Sequence, residues 1–178
     1  HLQEMVQQLG APDMILLTGD LAFSGKEEEY QQLDAFLADL TGWIREIQPD
    51  APPPILVPVP GNHDLARPDK NDLVLDFANL KQVADGDESV RHGLGQRFFL
   101  KKNVQLIAPL FQAYQDWFAH KVKPGWEGRD FHLSHFPGDW CLELNLPGRF
   151  PLRLVGLNSA WMHLGDGFAH QKLGLFTH

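Results

Sequence analysis

Two short apolar runs, separated by one long amphipathic stretch, constrain the fold of this chain more than any other feature. The runs cover residues 13–18 and 55–59. Between them, apolar side chains recur at steps of three and four over residues 30–47, which is the period of a helix with one buried face. Two buried strands joined by a single helix predict a β-α-β unit whose strands are parallel.

The boundaries of this unit are also marked in the sequence. Residues 2–9 predict a short amphipathic helix before the first strand, closed by a glycine. Ser24 and Glu27 match a capping box and predict the start of the long helix. That helix is expected to run to about Gln48, because the prolines that follow cannot continue it.

The rest of the chain predicts further helices and a late antiparallel portion. Residues 73–84 and 104–121 predict helices on either side of a polar loop at 85–95. Apolar residues then alternate over residues 140–146 and 152–157, which predicts a hairpin. The predicted fold class is therefore α/β, with an inserted helical cap.

Each strand of the β-α-β unit is followed by residues that bind hard cations. Gly19-Asp20 follows the first strand and Gly61-Asn62-His63-Asp64 follows the second. Because the carboxyl ends of parallel strands lie at one edge of a sheet, we expect the Asp20 and Asn62 side chains within about 6 Å of each other. Asp20 has the chemistry of a bridging carboxylate, Asn62 offers a neutral oxygen, and His63 has the chemistry of a proton donor to a leaving oxygen. Taken alone, each segment also fits an ordinary turn with His63 facing solvent.

Composition restricts the setting in which such a site would work. The 23 acidic and 15 basic residues give a net charge of −8, which argues against a general basic surface for nucleic acid but does not exclude a nuclease. Cys141 is the only cysteine, so no intrachain disulfide is possible and a reducing, cytoplasmic compartment is expected. No apolar run has the length of a membrane span, so no membrane association is expected.

The two metal-binding strings resemble the second and third motifs of the calcineurin-like metallophosphoesterase superfamily. In that family the aspartate bridges two metals, the asparagine binds one of them, and the histidine acts on the phosphate or leaving group. The resemblance assigns these roles to Asp20, Asn62 and His63. It also implies a β-sheet sandwich flanked by helices, a helical cap inserted at about residues 65–130, and two divalent ions. Mixed oxygen and imidazole ligands suit manganese, iron or zinc.

Longer strings look like a bacterial subgroup in which the phosphoesterase is often one module of a larger protein, sometimes joined to an NTPase. They cover residues 19–25, 59–68 and 156–161. Serine/threonine protein phosphatases of the superfamily have Asp-Arg where this chain has Phe23 and Ser24. The resemblance therefore favours a phosphodiester, such as a nucleotide or nucleic acid, over a phosphoprotein as substrate.

Other family motifs are missing from the printed sequence. No Asp-x-His precedes Asp20 and no Gly-His-x-His follows Asn62. We therefore expect residues 1–178 to be the central part of one truncated domain, inactive on its own within an active intact protein. If the fragment did bind two metals, His163 and His170 would be the first further ligands to test. The alternative function is a catalytically inactive regulatory or interaction module of a larger multidomain protein.

Overall fold

The predicted β-α-β unit is present in the structure. A computed structural model describes residues 2–67, 104, 107–145 and 150–162. Helix α1 (Leu2–Leu9) leads into β1 (Met14–Thr18), helix α2 (Glu27–Ile47) follows, and β2 (Ile55–Val59) returns. Strands β1 and β2 pair in parallel, with Thr18 opposite Val59. Both strands therefore end at the same edge, as the sequence pattern predicts.

The start of α2 differs from the predicted capping box. The residue that caps α2 is Lys26, and the helix begins at Glu27, so the predicted pairing of Ser24 with Glu27 is wrong. Glu29 reaches back instead and accepts a hydrogen bond from the Lys26 backbone N–H at 3.1 Å. Glu29 sits three residues after the cap, which is the position from which a carboxylate can reach the cap N–H.

The buried face of α2 holds the first half of the chain together. Its buried side chains are those of Tyr30, Leu37, Leu40 and Ile44. Val6 of α1 packs against the last two of these and forms a small apolar cluster with them. At the end of the helix, the Gln48 side-chain oxygen accepts a hydrogen bond from the Ala11 backbone N–H at 2.7 Å, which fixes the turn before β1.

A second helical segment begins near the predicted position and extends further. A 3₁₀ turn (Ala108–Phe111), helix α3 (Gln112–Trp117), a π-helical turn (Phe118–Val122) and another 3₁₀ turn (Lys123–Trp126) follow one another. Large side chains of this segment are buried in the main core: Tyr114, Trp117, Phe118, Val122 and Trp126.

Several predictions fall outside the described residues. These are the helix at 73–84, the loop at 85–95 and the tip of the predicted hairpin. The limits of the cap at about 65–130 stay a prediction, and several of the described residues of that range contribute to the main core.

The late antiparallel portion forms a second sheet. Strands β3 (Phe131–Leu133), β4 (Trp140–Leu144) and β5 (Leu152–Gly156) pair in the order β3-β4-β5, and both pairs are antiparallel. The predicted hairpin is therefore confirmed as β4 and β5. A final 3₁₀ turn covers Ala160–Met162.

Aromatic side chains join the second sheet to β2. The indole N–H of Trp140 donates to the carbonyl oxygen of Pro58 at 2.8 Å, and the Tyr114 hydroxyl donates to the same oxygen at 3.2 Å. The Trp126 indole N–H donates to the Leu56 carbonyl at 2.9 Å. These donors satisfy the carbonyl oxygens of Leu56 and Pro58 on β2. The sandwich arrangement of the sheets stays a prediction.

Candidate metal centre

Asp20 lies just beyond β1 in an unusual backbone conformation. Its φ is +53°, and it is the only non-glycine residue with positive φ in the part of the chain that the structure describes. Gly19 before it has a φ of +102°. Aspartate tolerates the left-handed region better than most residues, because its short side chain forms local hydrogen bonds. The chain therefore turns sharply at the strand end, and such turns in non-glycine residues cluster at functional sites.

The loops that carry Asp20 and Asn62 are in direct contact. The Asp20 Oδ1 accepts a hydrogen bond from the His63 backbone N–H at 3.1 Å. A Cβ placed on Gly61 would overlap the backbone nitrogen and the carboxylate of Asp20. A Cβ on Gly19 would lie 2.9 Å from the Gly61 Cα. Both glycines are therefore needed for this approach, which brings together the segments that carry the predicted ligands.

His63 is oriented by a main-chain oxygen. Its Nδ1 lies 2.8 Å from the carbonyl oxygen of Phe23. A carbonyl oxygen only accepts hydrogen bonds, so Nδ1 carries the proton in this contact. The Nε2 atom is then the ring nitrogen that can act on a substrate. The Phe23 ring lies beside the imidazole, with 5.5 Å between the ring centroids and 31° between the planes.

Asp64 connects the two loops from inside the protein, a role that the sequence did not reveal. Its side chain is fully buried. It accepts four hydrogen bonds, from the Leu21, Ala22 and Gly61 backbone N–H groups and from the Tyr30 hydroxyl, at 3.1, 2.9, 2.7 and 2.7 Å. Burial raises the pKa of Asp64, and the Gly61 and Tyr30 donors oppose that rise. The only sequence signal for this role was the presence of an acidic residue directly after His63.

Glu29 holds the other side of the Asp20 loop. Its carboxylate accepts hydrogen bonds from the Phe23 and Ser24 backbone N–H groups at 3.2 and 2.9 Å and from the Ser24 hydroxyl at 2.8 Å. Desolvation raises the pKa of Glu29, but the donors from Ser24, Lys26 and Phe23 outweigh it and lower that pKa to about 2. The loop is therefore fixed at both ends, by Glu29 and by Asp64.

A turn after β3 supports the Asn62 loop from the second sheet. A Cβ on Gly138, whose φ is +86°, would lie 2.5 Å from the Pro60 ring and 3.4 Å from the Asn158 Cβ. Asn158 is buried, and its backbone N–H donates to the Asp139 carboxylate at 2.6 Å. Its side-chain amide donates to the Pro137 carbonyl at 2.8 Å. Asn158 therefore orders the turn that rests against the loop carrying Asn62.

The donor chemistry of the site suits a hard divalent cation, but the described ligands are few. Asp20 offers a carboxylate and Asn62 an amide oxygen, both of which are common ligands of such ions. Within residues 2–67, 104, 107–145 and 150–162, no group of three or more His, Cys, Asp or Glu side chains is placed to hold a metal ion. His163 and His170 lie outside these ranges. Asp20 and Asn62 therefore fit part of a metal site that needs further donors.

A comparison with protein families agrees with this geometry. The model of the family described as calcineurin-like phosphoesterase matches residues 1–155. No curated protein and no solved structure matches the chain. None of the helices in the described ranges is long and apolar enough to cross a membrane. The family match spans both loops, all of α2 and most of the second sheet.

Proposed function

Because this chain belongs to the calcineurin-like phosphoesterase family, whose members are metal-dependent phosphoester hydrolases, we propose that the intact protein cleaves phosphodiesters at a two-metal site. Asp20 would bridge the two ions, Asn62 would bind one of them, and His63 would be the catalytic residue at the leaving group. The observation that carries this proposal is the contact between the two loops at the ends of β1 and β2, made by the His63 N–H and the Asp20 carboxylate.

The role of His63 follows from its orientation. The Phe23 carbonyl oxygen accepts a hydrogen bond from the Nδ1–H group of His63. A protonated His63 therefore has its second proton on Nε2, from which the proton can be donated to a leaving oxygen. The hydrogen bond to the carbonyl persists in both protonation states of the ring. His63 can therefore release and regain a proton at Nε2 without changing its position.

Metal ions would supply the remaining chemistry. When bound, two divalent ions activate a water molecule and neutralise the phosphoryl oxygens. Manganese, iron or zinc fits a site of mixed oxygen and imidazole ligands. Asp20 and Asn62 would hold the ions at the strand ends, together with donors outside the described residues. We propose that residues 1–178 alone are inactive, because they lack the Asp-x-His and Gly-His-x-His motifs that supply further metal ligands in the family.

A phosphodiester is favoured over a phosphoprotein because of the residues at 23 and 24. Phe23 and Ser24 replace the Asp-Arg pair that the resemblance associates with protein phosphatases. Ser24 is engaged by Glu29, so it is not a replacement for a phosphate-binding arginine. Nucleotides or nucleic acid are the proposed substrates. Because the chain has a net charge of −8, the positive charge that binds the phosphate is proposed to come from the metal ions.

The setting of the protein is proposed from its cysteine and from the resemblance. The exposed thiol of Cys141 suits a reducing compartment, so we propose a cytoplasmic protein. A bacterial origin is proposed from the resemblance to the bacterial subgroup. Fusion to an NTPase or another domain is proposed from the resemblance to the bacterial subgroup alone. The proposed partners are therefore a phosphoester substrate and fused domains, with no membrane.

Metal content and activity of the intact protein test the site. Asp20→Asn is expected to remove most activity and metal, because a neutral amide cannot bridge two dications. His63→Ala is expected to lower the rate of phosphodiester hydrolysis by about 10²–10⁴-fold and to leave the metal content largely unchanged. Metal is measured by elemental analysis of purified protein, and hydrolysis with bis-p-nitrophenyl phosphate in the presence of manganese.

Two matched substitutions serve as controls. Asp39→Asn changes an exposed carboxylate on α2. His120→Ala removes an exposed imidazole whose Nδ1 also contacts a backbone carbonyl, that of Asp116, at 2.7 Å. Neither should change metal content or rate. If His63→Ala lost as much metal as Asp20→Asn, His63 would be a ligand. An intact wild-type protein with neither metal nor activity would favour the inactive regulatory module.

A further inference from the structure

We infer that the Phe23 ring is a stacking platform for a nucleobase of the substrate, so that the enzyme selects nucleotide phosphodiesters over diesters that carry no ring. This inference deepens the proposed function and rests on it. It comes from a juxtaposition in the structure: an exposed aromatic ring lies directly beside the histidine that the proposal places at the leaving group.

The Phe23 ring is available to a ligand because little of it is buried. Its exposed fraction is 79%. A phenylalanine ring left in water contributes none of the burial free energy that it would contribute in the core. Packing therefore does not account for this residue. Its backbone carbonyl orients His63, but any residue would supply that oxygen.

The loop that carries the Phe23 ring is held by contacts on both sides. Hydrogen bonds from the Phe23 and Ser24 backbone N–H groups to Glu29 hold its loop on one side. Gly25, whose φ is +69°, lies so close to the other loop that a Cβ there would be 2.6 Å from the Ala66 nitrogen. Because the backbone of the loop is already held, a flat ligand that stacks on the ring need not order the loop.

Geometry connects the ring to the reacting group. The centroids of the Phe23 and His63 rings are 5.5 Å apart. Asp20 is three residues before Phe23 in the same loop, and its carboxylate contacts the His63 backbone N–H at 3.1 Å. A base attached through its sugar to the scissile phosphate would therefore be within reach of Phe23 while the phosphate lies at Asp20 and His63. A dinucleotide has this form, and a phosphodiester between small alkyl groups does not.

The experiment compares two phosphodiesters in the intact, manganese-loaded protein. Thymidylyl-thymidine carries bases and glycerophosphoethanolamine carries no ring, and hydrolysis of both is followed by chromatography. The readout is the ratio of the two kcat/KM values. Stacking of one base on an aromatic side chain contributes about 1–3 kcal/mol, so Phe23→Leu should lower this ratio by about 5- to 150-fold. Phe23→Trp, which keeps a flat ring, should retain the ratio within about threefold.

Phe36→Leu is the matched control, because Phe36 is also an exposed phenylalanine but lies on α2. It should leave the ratio and both activities unchanged. Binding gives an independent readout: calorimetric titration should show that Phe23→Leu weakens thymidine monophosphate binding but changes methyl phosphate binding far less. An unchanged ratio and equal losses in the two titrations would overturn the inference. Failure of the wild-type protein to hydrolyse either diester would instead overturn the proposed function, while the two titrations still decide the role of Phe23.

Discussion

Replacement of Asp64 by alanine should be among the most destabilising single substitutions in this domain, although Asp64 is not a proposed ligand. The fully buried Asp64 carboxylate is the common acceptor for the loop after β1 and the loop after β2. Asp64→Ala would leave the Leu21, Ala22 and Gly61 N–H groups and the Tyr30 hydroxyl without this acceptor.

The magnitude follows from the burial of these donors. The hydrogen bonds from Ala22 and Tyr30 are fully buried, and those from Leu21 and Gly61 are partly buried. An unsatisfied buried donor costs about 1–3 kcal/mol, so the two buried donors alone account for about 2–6 kcal/mol. We expect a loss of about 4 kcal/mol in the free energy of unfolding, a large part of the roughly 5–15 kcal/mol that stabilises a typical domain.

The assay is guanidinium denaturation of the intact protein, followed by the fluorescence of buried tryptophans. Asp139→Ala is the matched control, because Asp139 accepts a single backbone hydrogen bond, from Asn158 at 2.6 Å. It should cost about 1–3 kcal/mol, less than Asp64→Ala. Hydrogen exchange adds a local measurement, since Ala22 and Gly61 should lose amide protection in Asp64→Asn, whose amide nitrogen cannot accept hydrogen bonds.

Two results would contradict this reasoning. The first is a midpoint of denaturation for Asp64→Ala equal to or above that of Asp139→Ala. The second is unchanged exchange at the Ala22 and Gly61 amides in Asp64→Asn. Either would mean that other contacts join the two loops. Lower metal affinity of Asp64→Asn, with Asp20 and Asn62 intact, would in turn show that the joined loops position the metal ligands.

Two further predictions concern the same loops. Glu29→Gln should lower the free energy of unfolding by about 1–3 kcal/mol at neutral pH. Because folding lowers the pKa of Glu29 from 4.5 to about 2, the difference in unfolding free energy between wild type and variant is complete above pH 4.5 and is lost as the pH falls from 4.5 to about 2. Denaturation curves from pH 7 to pH 2 would check this. An equal advantage at every pH would contradict it. Gly61→Ala should weaken metal binding by about tenfold or more, because its Cβ would overlap Asp20. Gly42→Ala, in open space on α2, should instead raise the free energy of unfolding by about 1 kcal/mol. Calorimetric metal titration compares the two variants, and equal metal affinity in both would refute the prediction.

The sequence predicted the β-α-β unit well because its signals are local and periodic. Apolar strands and a helix with one buried face leave distinct spacings of apolar residues, and α1, β1, α2 and β2 lie within about two residues of the predicted bounds. The predicted burial of the first strand was wrong, because β1 has no buried residue and the Leu16 side chain is exposed. The hairpin of β4 and β5 was predictable for the same reason. Contact between the Asp20 and Asn62 loops followed from topology, because parallel strands end at one edge of their sheet.

The contacts that hold the site were less predictable, because they depend on which of several similar residues reaches a donor. Three consecutive glutamates begin α2, and only the structure distinguishes Glu29 as the one that accepts hydrogen bonds from the preceding loop. Asp64 was visible as part of a motif, but its burial depends on Tyr30, which is distant in sequence. The aromatic donors to the Pro58 carbonyl come from α3 and β4, further still along the chain.

The orientation of His63 shows why a missing motif residue need not mean a missing interaction. Position 23 holds phenylalanine where the serine/threonine protein phosphatases of the superfamily have aspartate, so no carboxylate at this position can accept a hydrogen bond from His63. In the structure, residue 23 still supplies the acceptor, through its backbone carbonyl at 2.8 Å from Nδ1. A main-chain oxygen is present in every residue and leaves no trace in the sequence. It orients the ring without adding a negative charge beside the proposed metal site, and it leaves the side chain of residue 23 free for the proposed contact with substrate.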